Sequence, residues 1–344
     1  VNDNSPVFTS ASSFTVAEEQ TAVGSLTTTD ADTGTNTVTF TRTGGADKDA
    51  FTVTGSTLAF ASAPNYEAQQ SYVVVVTASD GSNTTTQEIT VNLTNVNDIA
   101  PVFTSADAFS VAEGTDAVAT LTGSDAEGDS VSFSTTLTGT DAADFGLTAG
   151  GVLTFAATPN FESPVCGTQN NSNTCNVIAT ITDGTNTSTQ AITVTVTDIN
   201  DSTPVLSVST PYSVAENTTT VGTVTAADAD ANSTITYTLT GTDAAKFDIN
   251  SASGAISFVS APDFETPGSG DSSNAYSLNV VASDGTNSDT EAVVVNVTAV
   301  NDNSPVFTSA SSFTVAENQT AVGSLTATDA DAGTTVTFTT TGGA

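Results

Sequence analysis

Histidine, methionine and tryptophan are absent from this 344-residue chain, and Arg42, Lys48 and Lys246 are its only basic side chains. Without histidine, nucleophiles that depend on a histidine base are excluded. Against 38 acidic residues the three cations leave a formal net charge of −35. Such a field repels nucleic-acid phosphates and anionic membrane surfaces alike, so neither is expected as a partner. Paired carboxylates could in principle cleave glycosides, but those sites need aromatic subsites. Here 17 Phe and 5 Tyr are spread along strand-like segments, and no enzyme activity is expected. No apolar run approaches the roughly 20 residues of a membrane span, and the opening Val1-Asn2-Asp3-Asn4 carries no signal-peptide pattern. A chain that opens without Met reads as a segment of something longer. Cysteine is scarce too: Cys166 and Cys175 share one polar loop, PVCGTQNNSNTCN. Two thiols and no histidine are too few for a cysteine metal site, so a local disulfide is expected, consistent with an oxidising exterior.

What is present is repetition. Residues 1–32 return almost unchanged at 300–331, and two diverged copies lie between them. A V-A-E motif marks the phase at Glu18, Glu113, Glu216 and Glu317, with separations of 95, 103 and 101 residues. The extra length of the second and third copies falls in the loops after Glu162 and Glu265. Inside a copy the apolar period is two. Phe14–Val16, Val23–Leu26, Val38–Phe40, Phe51–Val53, Leu58–Phe60, Ser71–Thr77 and Gln87–Thr94 read as short strands divided by Gly, Asp, Asn and Pro. The Val-rich run 71–77 reads as a buried strand and 87–94 as a half-exposed one. Seven strands in about 100 residues predict an all-β, immunoglobulin-like Greek-key β-sandwich for each copy. The expected repeats are 1–98, 99–201, 202–302 and a partial fourth, 303–344, holding only its first three strands. Forty-odd residues cannot close a two-sheet core, so the fourth is expected to be cut from a longer array rather than completed by a neighbour's strand.

Four acidic motifs recur with the copies. They are V-A-E; P-[ND]-[YF]-E at Asn65–Glu67, Asn160–Glu162 and Asp263–Glu265; N-D-x-x-P at Asn2/Asp3, Asn97/Asp98, Asn200/Asp201 and Asn301/Asp302; and D-x-[DE] at Asp30/Asp32, Asp125/Glu127, Asp228/Asp230 and Asp329/Asp331. A D-G turn adds Asp80, Asp183 and Asp284. Alone, D-x-D and D-G are ordinary turn chemistry. Together, at strand ends and linkers, they place V-A-E and P-N-Y-E at one pole of a copy and D-x-D and D-G at the other. Copies joined end to end through N-D-x-x-P then face acid against acid. A hard cation taking six to eight oxygens removes that repulsion, and calcium tolerates irregular geometry. The D-A-D-T-G opening at Asp30 is not an EF-hand, because its twelfth position is Thr41 and no helices flank it. Gly44-Gly45-Ala46-Asp47 does not iterate as a glycine-rich calcium repeat would.

Taken together the motifs resemble the cadherin repeat, over the whole chain. The resemblance implies sandwiches stacked end to end with up to about three Ca2+ ions stiffening each junction. Carried over by motif, the first internal junction would use Glu18, Glu67, Asn97 and Asp98 with Asp125, Glu127 and Asp183. The second would use Glu113, Glu162, Asp198, Asn200 and Asp201 with Asp228, Asp230 and Asp284, and the third Glu216, Asp263, Glu265, Asn301 and Asp302 with Asp329 and Asp331. Asn2, Asp3, Asp30, Asp32 and Asp80 would form half a junction with a preceding repeat. Departures from the family pattern remove charge: Asn65 and Asn160 replace aspartate, and Asn95 and Ala299 stand where Asp198 stands in the second linker. The absence of Trp excludes tryptophan-exchange adhesion, and the Thr/Asn/Ser-rich wording is similar to cadherin-type repeats of large bacterial surface adhesins.

Two functions follow from the resemblance. In the first, the repeats are calcium-rigidified spacers of an extracellular stalk or filament, with neighbouring repeats of the same longer chain as their partners. In the second, they bind a receptor, a glycan or an identical chain directly. Near-identity of residues 1–32 and 300–331 favours the spacer. The N-x-[ST] triplets at Asn83, Asn186 and Asn217 are explained by composition alone.

Overall fold

The computed structural model describes residues 1–32, 37–167, 171–331 and 333–343. The tail of the Asp30 loop (33–36), residues 168–170 of the cysteine loop, and Ala344 lie outside the described residues. The chain forms two compact units, one of residues 1–159 and 165–195, the other of 160–164 and the residues from 196 onward.

The first unit holds two sandwiches. In the first, one sheet runs in the order Ser13–Ala17, Thr84–Thr94, Ser71–Ser79, Thr39–Gly44, and the other Ala22–Ser25, Thr57–Phe60, Phe51–Thr54. All seven expected strands are present, within a few residues of their predicted ends. Val7–Phe8 and Thr28–Thr29 add a two-residue pairing that periodicity could not reveal. Ser13–Ala17 lies parallel to the last strand, pairing Ser13 with Thr90 through Ala17 with Thr94. The strands Ser71–Ser79 and Thr84–Thr94 form a hairpin whose tight return needs Gly81 at φ 97°.

Side chains alternate across each strand. Val74, Val76 and Ala78 are fully buried while their neighbours are half-buried. The Val-rich run is therefore covered completely on one face only, because a second sheet packs on that side alone. Phe51 and Phe60 stack at 4.6 Å between ring centroids, and Tyr72 meets Phe60 edge-on at 5.1 Å. Leu26, Leu58, Ile89 and Val91 complete this core. Apolar burial on this scale is the main favourable contribution to each sandwich.

The second sandwich repeats the plan with sheets Ala108–Ala112, Thr187–Thr197, Thr174–Thr182, Ser132–Phe133 and Ala117–Thr120, Val152–Phe155, Phe145–Leu147. Cys175 pairs with Val194 in its ladder, as Tyr72 pairs with Val91. Cys166 and Cys175 form the expected disulfide with Cα atoms 5.1 Å apart, and both are fully buried. The bridge thus fills the core position that an aromatic ring occupies in the first sandwich, in addition to closing the loop.

The second unit holds a third sandwich, with sheets Tyr212–Ala215, Ser288–Thr298, Ala275–Ser283, Thr236–Thr240 and Thr220–Thr223, Ala255–Phe258, Phe247–Ile249. Its Phe247, Phe258 and Tyr276 rebuild the aromatic cluster. Residues 300–343 behave differently from the three expected strands. Among the described residues they form only the pairing of Val306–Phe307 with Ala327–Thr328. Phe313, Val322 and Leu325 are exposed. The cause is the lack of a second layer: the residues that cover the matching side chains of the first sandwich lie in its positions 51–93. No helix among the described residues is long and apolar enough to cross a membrane.

Candidate metal centres at the linkers

Glu18 follows the strand Ser13–Ala17 and is buried, 1% exposed. Its Oε2 accepts the Tyr66 N–H at 2.6 Å, and its Oε1 accepts the Val96 N–H at 2.8 Å. One carboxylate thereby ties the P-N-Y-E loop and the outgoing linker to the end of the sandwich. Glu216 does the same with the N–H groups of Phe264 and Val300, both at 2.7 Å. Glu113 is equally buried, whereas Glu317, in the uncovered copy, is exposed. Each carboxylate oxygen keeps a further lone pair.

The D-x-[DE] acids hold the linker from the other side. The second acid accepts linker N–H groups: Asp32 from Asn4 at 2.9 Å, Glu127 from Asp98 and Ile99 at 3.0 and 2.8 Å, Asp230 from Ser202 at 3.0 Å, and Asp331 from Asn303 at 2.8 Å. The first acid turns one oxygen inward. Oδ1 of Asp30, Asp125, Asp228 and Asp329 accepts the N–H two residues on, at 2.8–3.0 Å. Oδ2 of Asp30, Asp125 and Asp228 is buried and accepts nothing.

The D-G turns repeat this division. Oδ1 of Asp80, Asp183 and Asp284 accepts two turn N–H groups, at 2.6–2.7 Å. Oδ2 of Asp183 and Asp284 is buried without a partner. The Asn83 and Ser82 N–H groups hold the Asp80 carboxyl below the usual carboxylate range. Burial pushes Asp183 up, but the N–H groups of Asn186 and Thr185 outweigh it and its carboxyl also lies low. Glu265 lies on the other side: burial, and then Glu216 beside it, push its carboxyl up, and its Oε1 is buried without a donor.

Oxygens converge. Glu18, Glu67 and Glu127 each bring a carboxylate oxygen within 4.8 Å of the others, as do Asp30, Asp32 and Asp80, and Glu162, Asp201 and Asp230. The single ion pair among the described residues, Arg42 with Asp49 at 3.2 Å, lies in none of these clusters. Asn97 is held beside the Asp183 turn, its Oδ1 accepting from Asn186 at 2.8 Å, and Asn200 donates to the Asp284 carbonyl at 3.3 Å. Asp198 accepts the Ala231 N–H at 2.9 Å and keeps Oδ1 buried without a donor. Asp302 accepts from Asn217 and Asn303 at 2.5 and 2.9 Å.

Two expected ligands have local work. Asp3 accepts from Asn4 at 3.3 Å. Asp263 Oδ1 caps its own loop, accepting from Glu265 and Thr266, as Asn65 does from Ala68 and Asn160 from Ser163. Asparagine does this as well as aspartate, so the Asn65 and Asn160 departures leave the turn intact.

Several site residues escaped the motif reading. Asp129 joins Asp125 and Glu127 in one cluster. The Asn95 amide lies 2.9 Å from Glu67 and 3.3 Å from Glu18, and with its nitrogen turned toward them it donates to both. Asn83, Asn186 and Asn287 reach the linkers from the D-G turns. Their recurrence three residues after each aspartate was the available signal.

The cadherin-domain family model matches residues 12–94 and 210–299, half of the chain. The chain belongs to the cadherin domain family. Human Cadherin EGF LAG seven-pass G-type receptor 1 is 38% identical over 112 residues, 30% of this chain and 4% of the receptor. Mouse Cadherin EGF LAG seven-pass G-type receptor 2 is 35% identical over 113 residues, again 4% of its length. The chain therefore spans a small fraction of these relatives. Among solved structures, the mouse Cadherin-23 EC22-24 crystal structure covers 87% of this cadherin chain and all of its own, at 20% identity and TM-score 0.62. The Protocadherin GammaB4 extracellular domain covers 97% of the chain and 57% of its own, at 22% identity and TM-score 0.65. These structures share the tandem β-sandwich fold.

Proposed function

We propose that this chain is a calcium-binding, calcium-stiffened segment of an extracellular stalk, of the kind carried by large surface adhesins. Its repeats are 1–98, 99–201, 202–302 and a partial fourth from 303. The observation that carries the reading is the recurring pair of buried, donorless carboxylate oxygens: Asp125 with Asp183, and Asp228 with Asp284. A buried anionic oxygen without a donor is costly to keep, and evolution toward a dry core would remove it. A hard cation satisfies several such oxygens at once. At the first linker Glu18, Glu67, Asp125, Glu127 and Asp183 would supply carboxylates, with Asn97 and Asp98 beside them. Glu216, Glu265, Asp302, Asp329 and Asp331 would serve between the third sandwich and the partial fourth. The ion would supply charge neutralisation and cross-linking of loops, with no chemistry on a substrate. The near-repetition of residues 1–32 at 300–331 supports a spacer role, since a spacer keeps its function when duplicated.

Calcium titration by calorimetry and thermal melting with and without chelator test this. Calcium at about 100 times its Kd should stabilise the folded form by roughly 2.7 kcal/mol per independent site. A chain that takes up no heat on titration, and melts identically in chelator, is not calcium-stiffened. An unchanged monomer mass with calcium supports the spacer role. Calcium-dependent self-association would replace it with direct adhesion.

A further inference from the structure

In each complete sandwich the D-G turn continues to an asparagine: Asp80-Gly81-Ser82-Asn83, Asp183-Gly184-Thr185-Asn186 and Asp284-Gly285-Thr286-Asn287. The backbone of that asparagine closes the turn. Its N–H donates to the aspartate Oδ1 at 2.6–2.7 Å, and its carbonyl accepts the aspartate N–H at 3.3–3.4 Å. The side chain is therefore released from local work and reaches back some 80–90 residues to the linker that enters the same sandwich.

There it meets the same group each time. Asn83 Nδ2 donates to the Asn4 carbonyl at 3.0 Å and Asn287 Nδ2 to the Ser202 carbonyl at 2.8 Å, while Asn186 Nδ2 reaches the Ile99 carbonyl at 3.5 Å and the Asn97 carbonyl more closely at 3.3 Å. The Asn4, Ile99 and Ser202 carbonyls occupy one position, the residue after N-D. Asn186 also donates to the linker asparagine's own Oδ1, on Asn97 at 2.8 Å, and the Asn2 amide, with its nitrogen turned toward the acids, donates to Asp80 at 2.9 Å. All three amides are half-buried. The N–H of that same linker residue is taken by the second acid of D-x-[DE], as with Asn4 on Asp32 and Ser202 on Asp230. One linker residue is thus fixed through both of its peptide groups, from two different loops, by contacts that involve no cation.

We propose that Asn83, Asn186 and Asn287 are positioning residues that clasp each linker before any cation arrives. They hold the N-D oxygens against the D-G aspartate and so preform the site. This rests on the calcium reading for its consequence, though not for the clasp itself. A primary amide suits the task because it donates two hydrogens while adding no negative charge to an already acidic cluster. Aspartate at the same place would face the linker carbonyl oxygens without a donor.

The test uses the whole chain and the variants Asn186→Ala and Asn287→Ala, with CaCl2 as the probe. Amide hydrogen exchange in chelator should accelerate at 97–99 in the first variant and at 200–202 in the second, each leaving the other linker unchanged. Calcium affinity at the affected site should weaken about fivefold, the weight of one net hydrogen bond, while the chelated melting temperature stays within about 2 °C of the parent. Unchanged linker exchange in chelator overturns the clasp. Faster exchange with unchanged calcium affinity overturns its role in preforming the site. If the parent chain binds no calcium at all, the calcium reading falls, and the exchange measurement still decides whether the clasp exists.

Discussion

The residue after V-A-E adopts a left-handed conformation in every copy: Glu19 at φ 61°, Gly114 at 72°, Asn217 at 64° and Asn318 at 70°. Its N–H donates to the proline carbonyl of the facing loop, on Pro64, Pro159 and Pro262, each at 2.9 Å. Three copies use residues that tolerate this backbone, and the first uses glutamate, which does not. Glu19→Asn should raise the first sandwich's stability by about 0.5–1 kcal/mol, and an unmoved denaturation midpoint would show that no strain is relieved. A second contrast isolates context. Leu26 and Leu325 sit in nearly identical strings, yet Leu26 is 1% exposed and Leu325 50%. Leu26→Ala should cost about 2–5 kcal/mol, and Leu325→Ala within about 0.5 kcal/mol of nothing, read from the unfolding midpoints. No window of 32 residues could have shown this difference, because the covering side chains, Phe51, Leu58 and Ile89 among them, lie outside it.

Strands were the most legible elements. Phe14–Val16, Leu58–Phe60 and Gln87–Thr94 declared themselves by period and by flanking Gly, Asp and Pro, and all lie in observed strands. Pairing was not legible: nothing in the string Ser13–Ala17 says that it lies parallel to Thr84–Thr94, since that depends on closing a loop of some 70 residues. The disulfide was legible as a loop clip but not as a core element. Only the shared ladder position of Tyr72, Cys175 and Tyr276, opposite Val91, Val194 and Val295, reveals the exchange. Replacing both Cys166 and Cys175 by Ala should destabilise the second sandwich by about 3–5 kcal/mol, combining loop entropy with an unfilled core. A melting transition lowered by less than a few degrees would show that the loop is held by Asp141, which accepts from Gly167 and Asn176 at 2.7 and 2.6 Å.

For the molecule as a whole, several of the recurring acids are ones that the fold gathers into clusters. Glu18, Glu67 and Glu127 converge although they are far apart in sequence, because sandwich loops gather at the poles. What sequence hid was the work of the neutral amides: Asn95, read there as a lost charge, donates to Glu67 and Glu18, and the three clasp asparagines look like ordinary polar surface until their targets are seen. The parallel pairing carries a further consequence. In the first and third sandwiches Ser13–Ala17 and Tyr212–Ala215 run side by side with the last strand in the same direction, over five and four residue pairs. Opposed pulling on the two ends of such a sandwich loads those rungs together along the strand axis, so they must break in concert instead of opening one after another like a zip. The first and third sandwiches should therefore each yield in single-molecule stretching as a discrete, abrupt event. Val16→Pro, which deletes a backbone donor on the side where the Ser12 carbonyl and the Glu18 N–H meet the last strand, should lower the force of the first sandwich's event alone. A gradual, featureless extension of the chain would show that these rungs do not bear the load.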